Sequence, residues 1–261
     1  DLPSRGDDWD PQRLEDSVFG TDDVFCLIGT DPNDYGPSRV VVGPKSDGLV
    51  RIENAYVRGA HRAYVYKSHS GRYGEVNSEE GYQNLRRFFF GRWAVNVTLE
   101  GCTPYPAGMD QLPPDERWPI WQADMTLAIR GIPVVMSEQQ AGHYCPIQIN
   151  DELSRHGDSA DAPIPLAGTF LIDPAHEAEL ARERGDDNPK LRHEGRMRHV
   201  LSLRVFKLVE RGGVFQFSDH LEHVPEWSDP LIVDVVANAT PTGLRASRAR
   251  STRREGASMW R

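Results

Sequence analysis

Residues 24–30 read VFCLIGT, apolar without alternation and closed by Gly-Thr. A strand with one wet face alternates apolar and polar residues, whereas an unbroken apolar run of this length marks a strand covered on both faces, the habit of parallel sheets. Burying Val24, Phe25, Leu27 and Ile28 is worth about 1.5–3 kcal/mol per side chain, and only if neighbouring strands and covering layers exist. The chain offers one evident partner, AYVYKS at 63–68, and one covering helix. Residues 1–91 are therefore expected to be a piece of an α/β sheet that needs further strands to close it.

The helix is punctuated clearly in VNSEEGYQNLRRFFFG, 76–91. Asn77 is placed to cap it with Glu80 three residues on, acids sit at its positive end, Arg86 and Arg87 approach its negative end, and Gly91 stops it. Tyr82, Leu85, Phe88 and Phe89 fall at helical spacing, so this face is expected to pack on the sheet.

Beyond Gly91 the period changes. MTLAIRGIPVVM, HYCPIQI, PLAGTFLI, RHVLSLRVFKLVE, GVFQFSD and PLIVDVVA are short, β-rich and separated by Gly, Pro and Asp. That pattern predicts an all-β antiparallel sandwich over 92–243. Within it, residues 173–196 are too polar for core and predict an exposed, helix-containing excursion. Residues 244–261, carrying six arginines, are expected to form a disordered tail.

Composition removes several functions. A net charge of -9 argues against a nucleic-acid partner, whose binding rests on cations neutralising phosphates. No apolar run reaches the roughly 20 residues of a transmembrane segment. Cys26, Cys102 and Cys145 form no CxxC pair, which leaves neither a disulfide framework nor a thiolate metal cage, and no cofactor motif is present. Localisation stays open.

Two stretches carry chemistry: SDGLVRIENAY at 46–56 and RAYVYKSHSGRYG at 62–74. Asp47 lies in a glycine-bearing loop after the first strand, and His69 directly follows the second. A carboxylate there can hold an imidazole tautomer while the imidazole moves a hydroxyl proton, the acid and base parts of a Ser-His-Asp triad in the chain order of α/β-hydrolases. Asp31 and Asp34 are rival acids; His61 precedes its strand and falls at the wrong sheet edge. Ser70 reads as a turn residue, and His143 with Cys145, like His220 with His223, lacks the further partners of a metal site.

Residues 20–91 resemble the C-terminal part of bacterial esterases and lipases of the α/β-hydrolase superfamily, in which a GT…SDGLV loop supplies the acid and a following His-Ser-Gly the base. The remainder looks like a sandwich appended to such lipases. The resemblance implies that Asp47 and His69 are the triad acid and base, acting on an ester or lipid substrate. The nucleophile is the departure: no G-x-S-x-G occurs, the nearest stretch being GPSRV at 36–40. The expectation is a C-terminal portion whose partner, an N-terminal hydrolase half, brings the serine, and which is inactive alone. The alternatives are a non-catalytic sandwich that binds lipid, carbohydrate or protein, and a pseudo-hydrolase.

Overall fold

The structure, a computed structural model, describes residues 12–13, 20–34, 42–72, 74–100, 120–149, 163–172, 196–211, 220–237 and 244–249. In chain order its elements are β1 (Phe25–Gly29), β2 (His61–Val65), α1 (Glu79–Phe90), β3 (Trp93–Leu99), β4 (Ile120–Ile129), β5 (Val135–Gln139), β6 (Ile147–Gln148), β7 (Ile164–Leu171), β8 (Arg196–Arg211), β9 (His220–Ala237) and β10 (Leu244–Ala249).

The expected fold class, an α/β hydrolase sheet fragment followed by a sandwich, is corrected by this element list. Among the described residues there is one α-helix and one parallel pair, and every other strand pairing is antiparallel. The protein is mostly β, without alternation of helices and parallel strands. The apolar run at 24–30 does form a strand, and β1 pairs in parallel with β2 from Phe25 opposite His61 to Gly29 opposite Val65. Only Ile28 and Gly29 within β1 are fully buried, however. An apolar run reports affinity for an interior, not how many strands share it.

The larger sheet runs β10-β9-β8-β4-β5, with β6 also paired to β4. Its register aligns Leu127 with Leu201, Met125 with Leu203 and Ala123 with Val205, so both strands present these apolar side chains on one face. All six are buried, together with Trp121, Ile129 and Met136. Above them lies the antiparallel pair of β3 and β7, which adds Ile164 and Leu166, with Val97 and Leu99 packed alongside. This cluster is the main core. The segment expected to be disordered from residue 244 contributes β10, paired along β9 from Ala237 to Ile232. Residues 250–261 and the excursion at 173–195 lie outside the described residues.

α1 keeps its predicted span but not its predicted face. Ser78, not Asn77, caps it: the Ser78 hydroxyl accepts from the Gly81 N–H at 2.9 Å, while the Asn77 amide donates to the Gly71 carbonyl. Gly81, Asn84 and Arg87 are buried, whereas Tyr82 is 48% and Phe89 68% exposed. The aromatic stripe therefore points outward, apart from Phe88, which stacks on Phe25 at 5.4 Å. Arg87 is held inside by its bond to the Gln83 side-chain oxygen at 2.6 Å. Two polar contacts fix this layer to the edge of the large sheet: the Asn84 amide donates to the Met136 carbonyl at 2.8 Å, and the Tyr64 N–H donates to Ser137 Oγ at 3.1 Å.

Replacing Asn84 by Ala removes a buried donor and strands the Met136 carbonyl. The expected loss is about 1–3 kcal/mol, read as a lower urea midpoint; an unchanged midpoint would show that this bond does not anchor the helix.

Candidate functional site

The loop between β1 and β2 folds on its own polar groups. Ser46 and Arg51 form an isolated antiparallel bridge, Ser46 Oγ donates to the Gly43 carbonyl at 2.7 Å, and the Gly48 N–H donates back to Ser46 Oγ. Gly48 takes φ 98°, a conformation open to glycine and strained for most side chains. Inside this turn Asp47 Oδ1 accepts from the N–H groups of Leu49 at 2.9 Å and Val50 at 2.7 Å. One carboxylate oxygen is thus spent on holding the turn, which is why a short acid suits the position.

The other oxygen meets His69. Chain leaving β2 is pinned by a parallel bridge between Ser68 and Gly74, and the His69 N–H donates to the Asp47 carbonyl at 2.9 Å. Asp47 Oδ2 then lies 2.8 Å from His69 Nδ1. Asp47 is 3% exposed, while the His69 side chain is 41% exposed. An ionised carboxylate can only accept, so the bond assigns the proton to Nδ1 and leaves Nε2 as the nitrogen able to take a proton from elsewhere. Sequence reasoning named both residues, and the structure brings them together.

Gly29 makes that meeting sterically feasible. A Cβ on Gly29 would fall 2.7 Å from the Lys67 carbonyl oxygen, 2.8 Å from Asp47 Cβ and 3.0 Å from Glu75 Oε2. The end of β1 is the floor on which the two loops rest.

Glu75 is a third member that sequence reasoning missed. Its N–H donates to the Ser68 carbonyl at 2.8 Å, which swings the side chain in toward Asp47 and His69. Oε2 is buried without a hydrogen-bond partner. Desolvation first, and the Asp47 charge second, push its pKa up to about 7, against smaller opposing effects of His69 and a Gly29 backbone hydrogen bond. Donor atoms of Asp47, His69 and Glu75 lie within 4.8 Å of one another, the one such set found among the described residues. The missed signal was a tertiary one: nothing in GEVNSEE separates a buried glutamate from the acids of a helix start.

The rival residues are occupied elsewhere. Asp31 Oδ1 caps Asn33, and Asp34 accepts from Ser68 Oγ at 2.8 Å. His61 lies edge-on to Phe170 at 4.6 Å, and His143 stacks on Tyr66 at 3.7 Å. Burial pushes the Cys145 thiol up to about 11, which makes it a poor nucleophile. His223 packs against Phe206. Ser70 accepts from Ser68 Oγ through its carbonyl.

A cavity of about 560 Å³ borders the same loop, lined by Lys45, Arg51, Tyr56, Arg62 and Tyr144 among others. Neither Asp47 nor His69 lines it, so it is no substrate pocket for this pair. Comparison of the chain with known protein families, curated proteins and solved structures gives no significant match.

Two outcomes follow. Gly29→Ala is expected to cost about 1–3 kcal/mol through overpacking and to displace the Asp47 turn, seen as lost NMR protection of the His69 Nδ1 proton. Glu75 binds its proton up to about pH 7 when folded but only to about 4.5 when unfolded, so the folded state holds more protons in between. Its contribution is complete below about pH 4.5 and is lost as pH rises through 7. Solvent screening of this partly exposed group reduces the effect to about 1–2 kcal/mol. Urea midpoints at pH 5 and pH 8 should show the parent losing stability relative to Glu75→Gln; parallel behaviour of the two would contradict the raised acid.

Proposed function

We propose that Asp47 and His69 are the acid and general base of a carboxylic-ester hydrolase of the serine type, acting on an ester or lipid substrate. The observation that carries this reading is the 2.8 Å bond between Asp47 Oδ2 and His69 Nδ1, made by an acid whose side chain is 5% exposed and a ring whose side chain is 41% exposed. Burial keeps the carboxylate oriented, its second oxygen is tied to two backbone amides, and the exposed ring can serve a hydroxyl. In the reaction Nε2 takes the serine proton as the hydroxyl attacks the ester carbonyl. The imidazolium beside Asp47 then returns that proton to the departing alcohol, and the same cycle activates water against the acyl-serine.

The serine and the oxyanion donors come, in this reading, from polypeptide outside the given sequence, which contains no G-x-S-x-G. An exposed apolar face beside the site supports such a partner: Val76, Tyr82, Leu85, Phe89 and Phe90 all lie on the surface next to or along α1. The resemblance of residues 20–91 to bacterial esterases and lipases supports the same chemistry.

The purified 261-residue chain should turn over nitrophenyl esters no faster than free imidazole, because an acid and base without a nucleophile or oxyanion hole stabilise no tetrahedral intermediate. Joined to a segment bearing the nucleophile, it should hydrolyse them and be blocked by fluorophosphonate. In that assembly His69→Ala should lower kcat by about 10⁶ and Asp47→Asn by about 10⁴, with KM changed far less. Near-parental turnover of either variant would sink the assignment.

A further inference from the structure

We propose that Glu75 is a positioning residue of this site: a second carboxyl that shares a proton with Asp47 beside His69 and, by releasing it, adds a second negative charge next to the imidazole. The inference rests on Asp47 and His69 acting as an acid–base pair, but not on the ester substrate. Its geometric basis is the convergence over Gly29, where only a missing side chain lets Glu75 Oε2 and the Asp47 side chain come this close. The Gly29 backbone gives the Glu75 carboxyl a weak hydrogen bond, but Oε2 is buried without one, and its neighbours in the cluster are an acceptor-only carboxylate and a ring nitrogen already bonded to that carboxylate. A bare carboxylate oxygen in such a place is costly, whereas a carboxylic acid can turn its O–H toward Asp47.

Two carboxyls this close do not ionise independently. The upward displacement of Glu75 to about 7 agrees with the geometry, and its causes are burial and Asp47. Other charges on the elements around it are committed. Lys67 pairs with Glu80 at 3.2 Å, Asp34 is held by Ser68, Asp31 caps Asn33, and Glu79 bonds Gln83 on the helix surface. The charges next to Glu75 are therefore those of Asp47 and His69. With Glu75 protonated, the ring sees one carboxylate and stays ready to take the serine proton. With Glu75 ionised, the extra charge stabilises the imidazolium, so the ring holds its proton to higher pH and serves as base only above it. The alkaline rise of activity in the assembled hydrolase should accordingly lie at higher pH in the parent than in Glu75→Gln.

NMR on the intact 261-residue chain tests this without any substrate. The Glu75 side-chain carboxyl ¹³C resonance should titrate near pH 7, and the His69 Nδ1 proton resonance should show an inflection at the same pH. In Glu75→Gln the ring's own protonation remains, but the inflection should move to lower pH with the loss of the second charge, while Glu75→Asp, which keeps an acid, should move it less. Should Glu75→Gln not fold, the wild-type carboxyl titration decides alone. A Glu75 carboxyl that titrates at the ordinary value of 4.5, or a His69 inflection left at the parent's pH in Glu75→Gln, would overturn the proposal. Coupling seen by NMR with no ester hydrolysis in the assembled protein would leave Glu75 its role and refute the hydrolase reading instead.

Discussion

Two short bonds between one turn and one strand exit organise the site: the His69 N–H to the Asp47 carbonyl, and Asp47 Oδ2 to His69 Nδ1. The first is backbone to backbone, so it fixes the separation of the two residues whatever their side chains do. The second uses that fixed separation to orient the ring. Both depend on β1 and β2 lying side by side in parallel, because that pairing delivers the two loops to the same end. Gly29 at that end then lets them touch.

The antiparallel body takes part by holding this small layer still. β2 meets β5 through Tyr64 and Ser137, α1 meets β5 through Asn84, and Phe88 joins β1 through Phe25 and β7 through Phe170. An isolated parallel pair with one helix would bury too little apolar surface to stand alone. Docked against a sheet whose core is filled by Met125, Leu127, Met136 and Leu203, it inherits a rigid support. Precision at the proposed acid and base thus rests on polar contacts to a body whose own rigidity comes from apolar packing.

Legibility in the sequence followed the range of the forces involved. Turn chemistry and strand ends are local, so the Ser-Asp-Gly turn, the strand before His69 and the helix over 79–90 could all be read, as could the β-rich character after Gly91. Which way the helix faces is not local. The apolar spacing of Tyr82, Leu85 and Phe89 is as good a core stripe as any, yet Gly81, Asn84 and Arg87 were buried instead, because Gly81 lets the Glu75 carbonyl approach and Asn84 reaches the β5 backbone. The fold class failed for a related reason: one parallel pair looks, from inside its own strands, like any larger parallel sheet. Glu75 was invisible because desolvation belongs to the folded surroundings and leaves no mark on neighbouring residues.

The outward face of α1 also has a colloidal consequence. Phe89 and Phe90 are each about two-thirds exposed, in line with Tyr82 and Leu85, a contiguous greasy ridge on a chain that carries a net charge of -9. Mutual repulsion between molecules of like charge keeps such ridges apart in neutral solution. Toward the sequence pI of about 5.5 that repulsion fades while the ridge is unchanged. Solubility of this chain is thus an electrostatic property laid over an apolar one, with its minimum set by the acids and its clumping surface set by a helix that turned its aromatic side to the water.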